Sequence, residues 1–265
     1  MSEQPIFYVA VAPKDKLETG LAEKVAAIVK KDVHETGLIL GGKIPRIVGR
    51  YQGLQVAESV ARGLRSLGLV AIVCSDSEIR HPSSTRFMAH SLQLGEGDVT
   101  FWDKGRLAKV VDTKNVFLII KGALQSNVEK ETKTTKPKLD IAATVLTGGI
   151  PIVRNVEQRT KEQFFEVESF VRIYDRTSPE ALVEVRQRNF DYSGLGKKKA
   201  FSSLANLNIL VAELRNKFPQ AIFDDRLTAH FGTGVPFATS EDEVEINCSL
   251  IYLHYRIVSD PGPVA

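Results

Sequence analysis

FEVESFVRIY, residues 165–174, alternates its side chains at every second position: Phe165, Val167, Val171 and Ile173 share one face, while Glu166, Glu168 and Arg172 share the other. A period of two belongs to a β-strand with one face on a core and one in water. It predicts that the second half of the chain is organised around antiparallel sheet. Toward the C-terminus, residues 181–188 read as a further strand. Leu204, Leu207, Val211, Leu214 and Phe218 then recur in steps of three and four, which predicts an amphipathic helix near 199–218 ended by Pro219. Residues 244–258, rich in Ile, Leu and Tyr, read as a long terminal strand, and the tail 259–265, with two prolines, as disordered.

Toward the N-terminus, residues 139–147 read as another strand. The run of Glu, Lys and Thr over 129–138 has little to bury and is expected to be an exposed loop. Residues 87–94 and 98–104 form an expected hairpin around Gly95-Glu96-Gly97, continued as a meander by 107–111 and 116–124. About seven strands followed by one amphipathic helix is the order of a pleckstrin-homology-like barrel with a closing helix. An open antiparallel sheet with a packed helix fits the same pattern.

Residues 1–77 read differently, as a small α+β domain. Ile6, Phe7, Tyr8, Val9 and Val11 form a short strand ended by Pro13. A helix through Leu21, Val25, Ile28 and Val29 has Thr19 as a cap and Gly37 as a stop. Residues 44–51 return to strand, with Pro45 fitting an edge. A second helix through Val56, Val60, Leu64 and Leu67 closes at Gly68, and 69–74 is an apolar strand. Residues 78–86, containing His81-Pro82-Ser83-Ser84, are the expected linker to a β-rich domain of residues 87–258.

Lys30, Thr36-Gly37-Leu38 with Leu40, then Pro45, Val48, Ala57-Glu58, Leu64 and Gly68 give residues 29–73 a pattern that resembles the C-terminal domain of the bacterial ribosomal stalk protein, whose fold is shared with the Clp-protease adaptor. The resemblance implies a small, compact α+β docking domain. Its functional parts do not carry over. The interval from Gly37 to Pro45 is too short for the family's lysine-rich second helix and holds Gly41-Gly42 instead, and Ala12-Pro13-Lys14-Asp15 replaces the adaptor's acidic turn.

The composition is that of a globular chain, with 43% hydrophobic and 25% charged residues among 265. A formal charge of +3 is well short of a dedicated nucleic-acid binder. Cys74 and Cys248 are the sole cysteines, too few for a disulfide framework or a thiolate zinc site, and a reducing, cytoplasmic setting is expected. Residues 1–11 lack the pattern of a secretion signal, and no apolar run approaches the roughly 18 residues that span a bilayer.

Candidate chemistry is sparse. GLILGGK, residues 37–43, has the spacing of a phosphate-binding loop, but Ile44 stands where Ser or Thr holds magnesium and Pro45 blocks the following helix, so a glycine turn is expected. Asp224 and Asp225, together with Glu166, Glu168 or Glu184, are the candidate carboxylates for a metal-dependent, nuclease-like enzyme, and Glu184 with Arg186 echoes an acid-spacer-base strand. His34, His81, His90, His230 and His254 show no chelating spacing, and Ser202 and Ser203 lie in no nucleophile elbow. Neither catalytic residues nor a metal or cofactor are expected.

Positive charge gathers at Lys30 and Lys31 with Arg46 and Arg50, over residues 130–138, and at Lys197, Lys198 and Lys199. Lysines ahead of a helix oppose its dipole, which suits Lys197 to Lys199 to an anionic partner such as phosphate or a lipid headgroup. Tyr8, Tyr51, Tyr192, Tyr252 and Tyr255 do not interleave with these cations as base-stacking platforms would. The sequence thus predicts a non-enzymatic interaction or regulatory protein that binds a protein partner through Lys30, Lys31, Arg46 and Arg50. The metal-dependent enzyme and peripheral binding to anionic lipid are its alternatives.

Overall fold

A computed structural model describes residues 5–14, 16–80, 86–139, 153–228 and 238–260. They form two compact units, one of residues 1–124 with 168–265 and one of residues 125–167.

The larger unit starts with a three-stranded sheet. β1 (Ile6–Val11) lies between β2 (Arg46–Gln52) and β3 (Ala71–Ser75), antiparallel to both, with Tyr8 opposite Arg50 on one side and Cys74 on the other. Between the strands run α1 (Leu21–Val29), α2 (Val33–Leu40) and α3 (Leu54–Ser66). Val9, Val11 and Val48 of the sheet pack with Val25, Leu40, Ala61 and Leu64 of these helices. The single helix expected up to Gly37 is broken in two. Lys30 turns left-handed at φ 56° and ends α1, and the Asp32 side chain caps α2 by accepting from the backbone of His34 and Glu35. Gly37 sits inside α2, and Gly41 and Gly42 make the turn into β2. Gly68, at φ 75°, closes α3 where the apolar spacing runs out.

A short helix, α4 (Asp76–Ile79), follows β3 directly, and its Ile79 is buried beside Cys74. The expected linker thus begins in a helix, and its residues 81–85 lie outside the described residues. The strand expected over 87–94 is divided, with β4 (Phe87–Ala89) in the main sheet and β5 (Ser91–Leu94) pairing with β6 (Asp98–Trp102), which pairs with β7 (Ala108–Asp112). β5, β6 and β7 make the meander, and the residues expected to complete it, 116–124, lead instead into the main sheet.

The main sheet has the order β11-β8-β9-β10-β4, made of β8 (Leu118–Leu139), β9 (Val153–Tyr174), β10 (Val183–Arg186) and β11 (Ile222–Leu227). β11 is parallel to β8 and β4 is parallel to β10. Among the described residues these are open sheets, with no closed barrel. β11 has no counterpart among the expected strands. Residues 129–138, expected as a loop, belong to β8; of the expected strand over 139–147, everything past Leu139 lies outside the described residues. Gly122 lets β8 and β9 approach closely, since a Cβ there would overlap the Phe170 ring.

Helices cover both faces of the main sheet. α5 (Ser203–Lys217) lays Leu207, Leu210 and Leu214 on Val171, Ile173, Val183 and Val185, as its apolar stripe predicts. The opposite face meets α6 (Glu241–Ser259), formed by residues expected to be a strand. Val244, Cys248, Ile251 and Tyr252 recur at helical spacing and pack on Leu118, Ile120, Phe170 and Tyr174. The Ser240 hydroxyl accepts from the Glu243 backbone, while Glu243 accepts from the Thr239 backbone, and three acidic residues occupy the first turn. The other side of α6 covers the first sheet, with Leu250 buried among Ala10, Ile72, Cys74 and Ile79. One helix is shared by two sheets.

Candidate functional site

Beneath α6 the main sheet carries a cluster of buried ionisable groups. Arg172 on β9 and Glu184 and Arg186 on β10 point toward the helix, which supplies Glu245 and Glu241, and Arg86 arrives from the segment before β4. The Arg172 Nε donates to Glu184 at 2.8 Å and its Nη1 to Glu245 at 2.8 Å. Arg86 binds both Glu184 and Glu245, and Arg186 binds Glu184 and, at 2.7 Å, Glu241. Three guanidinium groups therefore face three carboxylates, a neutral set. Arg172 and Glu184 are 0% exposed. The Arg172 and Arg186 guanidiniums also lie over the Phe170 ring, at 5.3 and 5.4 Å from its centre.

This set corrects the reading of β9 as half-solvated: the face bearing Arg172 is covered by a helix, and its charge is neutralised by Glu184 and Glu245. Burial alone would raise the Glu184 carboxyl, but Arg172, Arg186 and Arg86 together outweigh it and hold the group below its ordinary range. Burial pushes the adjacent Cys248 thiol up to about 11, so it is protonated near neutral pH and a poor nucleophile. With its carboxylates saturated by arginine, the set ties β4, β9, β10 and α6 together.

Glu168 accepts from the Arg188 backbone at 3.2 Å, and Asp224 and Asp225 are not among the acids that bind Arg86, Arg172 and Arg186. Asp224 is buried on β11 and held by Arg226, which donates from Nε at 2.8 Å and Nη2 at 2.5 Å, whereas the neighbouring Asp225 is exposed. Among the described residues, no three His, Cys, Asp or Glu side chains are placed to hold a metal ion. His34 is exposed, His90 bonds the Asn189 carbonyl, and burial lowers His254, with the Arg226 charge adding to the effect. His81 and His230 lie outside the described residues. Ser202 caps α5, and Ser203 accepts from the Gln187 side chain.

The four basic residues of the first sheet divide between its surfaces. Lys30 ends α1 on the helical side, and Lys31 pairs with Glu35 at 2.5 Å. Arg50 stands opposite Tyr8 on the face that α6 covers, and Arg46 comes within 4.0 Å of Glu243 of α6. In contrast, Lys197, Lys198 and Lys199 are consecutive, exposed and on one loop. Residues 130–138 lie in β8.

Two open clefts flank the start of β11. One, about 600 Å³, lies between the entrance to β8 and the exit of β9, where Arg176 stacks on Phe117 at 4.5 Å and Lys114 and Asp175 add charge. The other, about 570 Å³, runs along α5 and is floored by Ile119, Phe218 and Phe223. The buried ion set was invisible to pattern reading, because each member looks like an ordinary solvated charge until α6 is recognised as a helix. The signal that finds α6 is Ser240-x-x-Glu243 ahead of apolar residues spaced by three and four. No family model, curated protein or solved structure matches the chain.

Proposed function

We propose that the chain is a non-enzymatic, protein-binding molecule that takes its partner by strand addition along residues 125–139 and 153–165. One observation carries this reading. β8 and β9 run 22 residues each, yet among the described residues β11 pairs with β8 over 118–122, apart from one bridge at Leu124, and β10 pairs with β9 over 170–173. In the smaller unit the two strands have each other and, among the described residues, no further strand.

A row of unpaired N–H and C=O groups along a strand is a template for another strand. A two-stranded ribbon is also marginal in water, so an added strand stabilises it while gaining its own backbone hydrogen bonds. The ion set beneath α6 supports the same reading, because its groups are spent on holding the fold. Docking through the small domain, which the stalk-protein resemblance suggested, is a weaker basis, since Lys30 and Arg50 lie on different sides of the first sheet.

The test replaces residues 125–167 by a short Gly-Asn turn joining Leu124 to Glu168. The intact and shortened chains are compared by sedimentation velocity, alone and after cross-linking in cell extract. The intact chain is expected to associate, with itself or another protein, and the shortened one to lose that association at an unchanged unfolding temperature. An intact chain that associates with nothing, or a shortened one that keeps every association, overturns the proposal.

A further inference from the structure

We infer that residues 196–204 dock the molecule onto an anionic lipid bilayer, with Phe201 entering the interface and Lys197, Lys198 and Lys199 meeting the headgroups. Phe201 is the most exposed large apolar side chain among the described residues, at 113% of its reference area, and Leu204, three residues further on at the start of α5, is 47% exposed. Both stand beside three exposed lysines. From Tyr192 to Ala212 the sequence contains these three cations and neither Asp nor Glu. Glu213 engages Lys198 at 2.6 Å and Lys199 lies within electrostatic reach of Asp191, while all three lysines remain exposed.

The exposure is built in. A 3-10 helix, Tyr192–Lys198, anchors the loop on one side through buried Tyr192 and Leu195. On the other side Asn206, itself buried, grips Ala200 twice: its Oδ1 accepts from the Ala200 N–H at 2.6 Å and its Nδ2 donates to the Ala200 carbonyl at 3.0 Å. Ser202 then accepts from the Ala205 N–H and starts α5. The residue between these two fixed points is Phe201. A side chain that gains nothing from the core is thereby held outward at little entropic cost on binding.

The charge selects the occupant. Consecutive lysines around a projecting aromatic and a leucine complement a surface that is negative outside and apolar beneath, where lysine stems also bury their methylenes. Each basic residue close to an anionic leaflet strengthens binding by roughly fivefold, and burying a phenylalanine ring adds roughly tenfold or more. The inference is independent of strand addition, since residues 125–167 take no part in it.

The experiment is co-sedimentation of the full chain with vesicles of phosphatidylcholine alone, and with about a third phosphatidylserine, at low and physiological salt. The chain is expected to bind the mixed vesicles and not the neutral ones. Phe201→Ser should weaken binding by roughly tenfold, and the triple change K197E, K198E, K199E by more than that, both at an unchanged unfolding temperature. Absence of binding to the mixed vesicles at low salt overturns the inference. So does binding that neither variant weakens. Binding lost with the lysines but unaffected at Phe201 overturns the insertion and leaves a purely electrostatic contact, as a soluble polyanion would make.

Discussion

Glu184 shows how little a residue's chemistry is fixed by its type. On β10 it looks like a solvated strand acid, yet three arginines surround it and water does not reach it. Removing its charge leaves three guanidinium groups short of a partner in a low-dielectric interior. Glu184→Gln is therefore expected to cost about 3–5 kcal/mol of stability, measured by urea unfolding at neutral pH. A loss below about 1 kcal/mol would show that water or neighbouring acids replace it. The pH dependence has a definite sign. The folded-state carboxyl is held below its ordinary value of 4.5, so its stabilisation is complete above that value and disappears as pH falls through the lowered folded value. The gap in unfolding midpoint between wild type and Glu184→Gln should be constant from pH 7 to about 5 and shrink under more acid conditions. A gap that widens on acidification would contradict the assignment.

At the scale of elements, α6 is the part that composition misrepresents. Its Ile, Tyr and Val content suggests strand, but a helix whose two sides are both buried carries the same residues, because β-branched and aromatic side chains cost only a few tenths of a kcal/mol of helix propensity and burial outweighs that. Its start is set by the cap at Ser240. Ser240→Ala should lower stability by about 1 kcal/mol, with hydrogen exchange accelerated first in residues 241–245. Exchange accelerated equally throughout α6 would mean that the cap governs global unfolding and not the helix end. β9 illustrates the complementary case: its alternation was legible, and the face bearing Val171 and Ile173 was assigned to the core. That the other face is buried too depends on a helix more than 60 residues further along the chain.

For the whole molecule, the shared helix decides where the chain divides. Read linearly, residues 1–77 look self-sufficient, with two helices covering one face of a small sheet. The other face, including Ala10, Ile72 and Cys74, is covered by Leu250 of α6, from the far end of the chain. Residues 1–80 expressed alone should therefore unfold at a lower temperature than the same residues in the intact chain. Cys74 provides an independent readout, since burial in the intact protein pushes its thiol up to about 12 and shields it. In the fragment it should react readily with a thiol reagent at mildly alkaline pH. A fragment with a protected thiol and undiminished stability would establish the first sheet as an autonomous domain.

The amino-acid order alone determined what depends on neighbours within a few residues: the strands of the first sheet, the helix after Leu54 closed by Gly68, the meander around Gly95 and Gly97, and the helix that ends before Pro219. Tertiary structure decided what depends on partners far apart in sequence. Arg86, Arg172, Glu184 and Glu245 come together only when the C-terminal helix lies across the main sheet. Their neutrality, their loss of water and their unavailability for chemistry are properties of that packing, because charge pairing and desolvation act across space and leave no periodic trace along the chain.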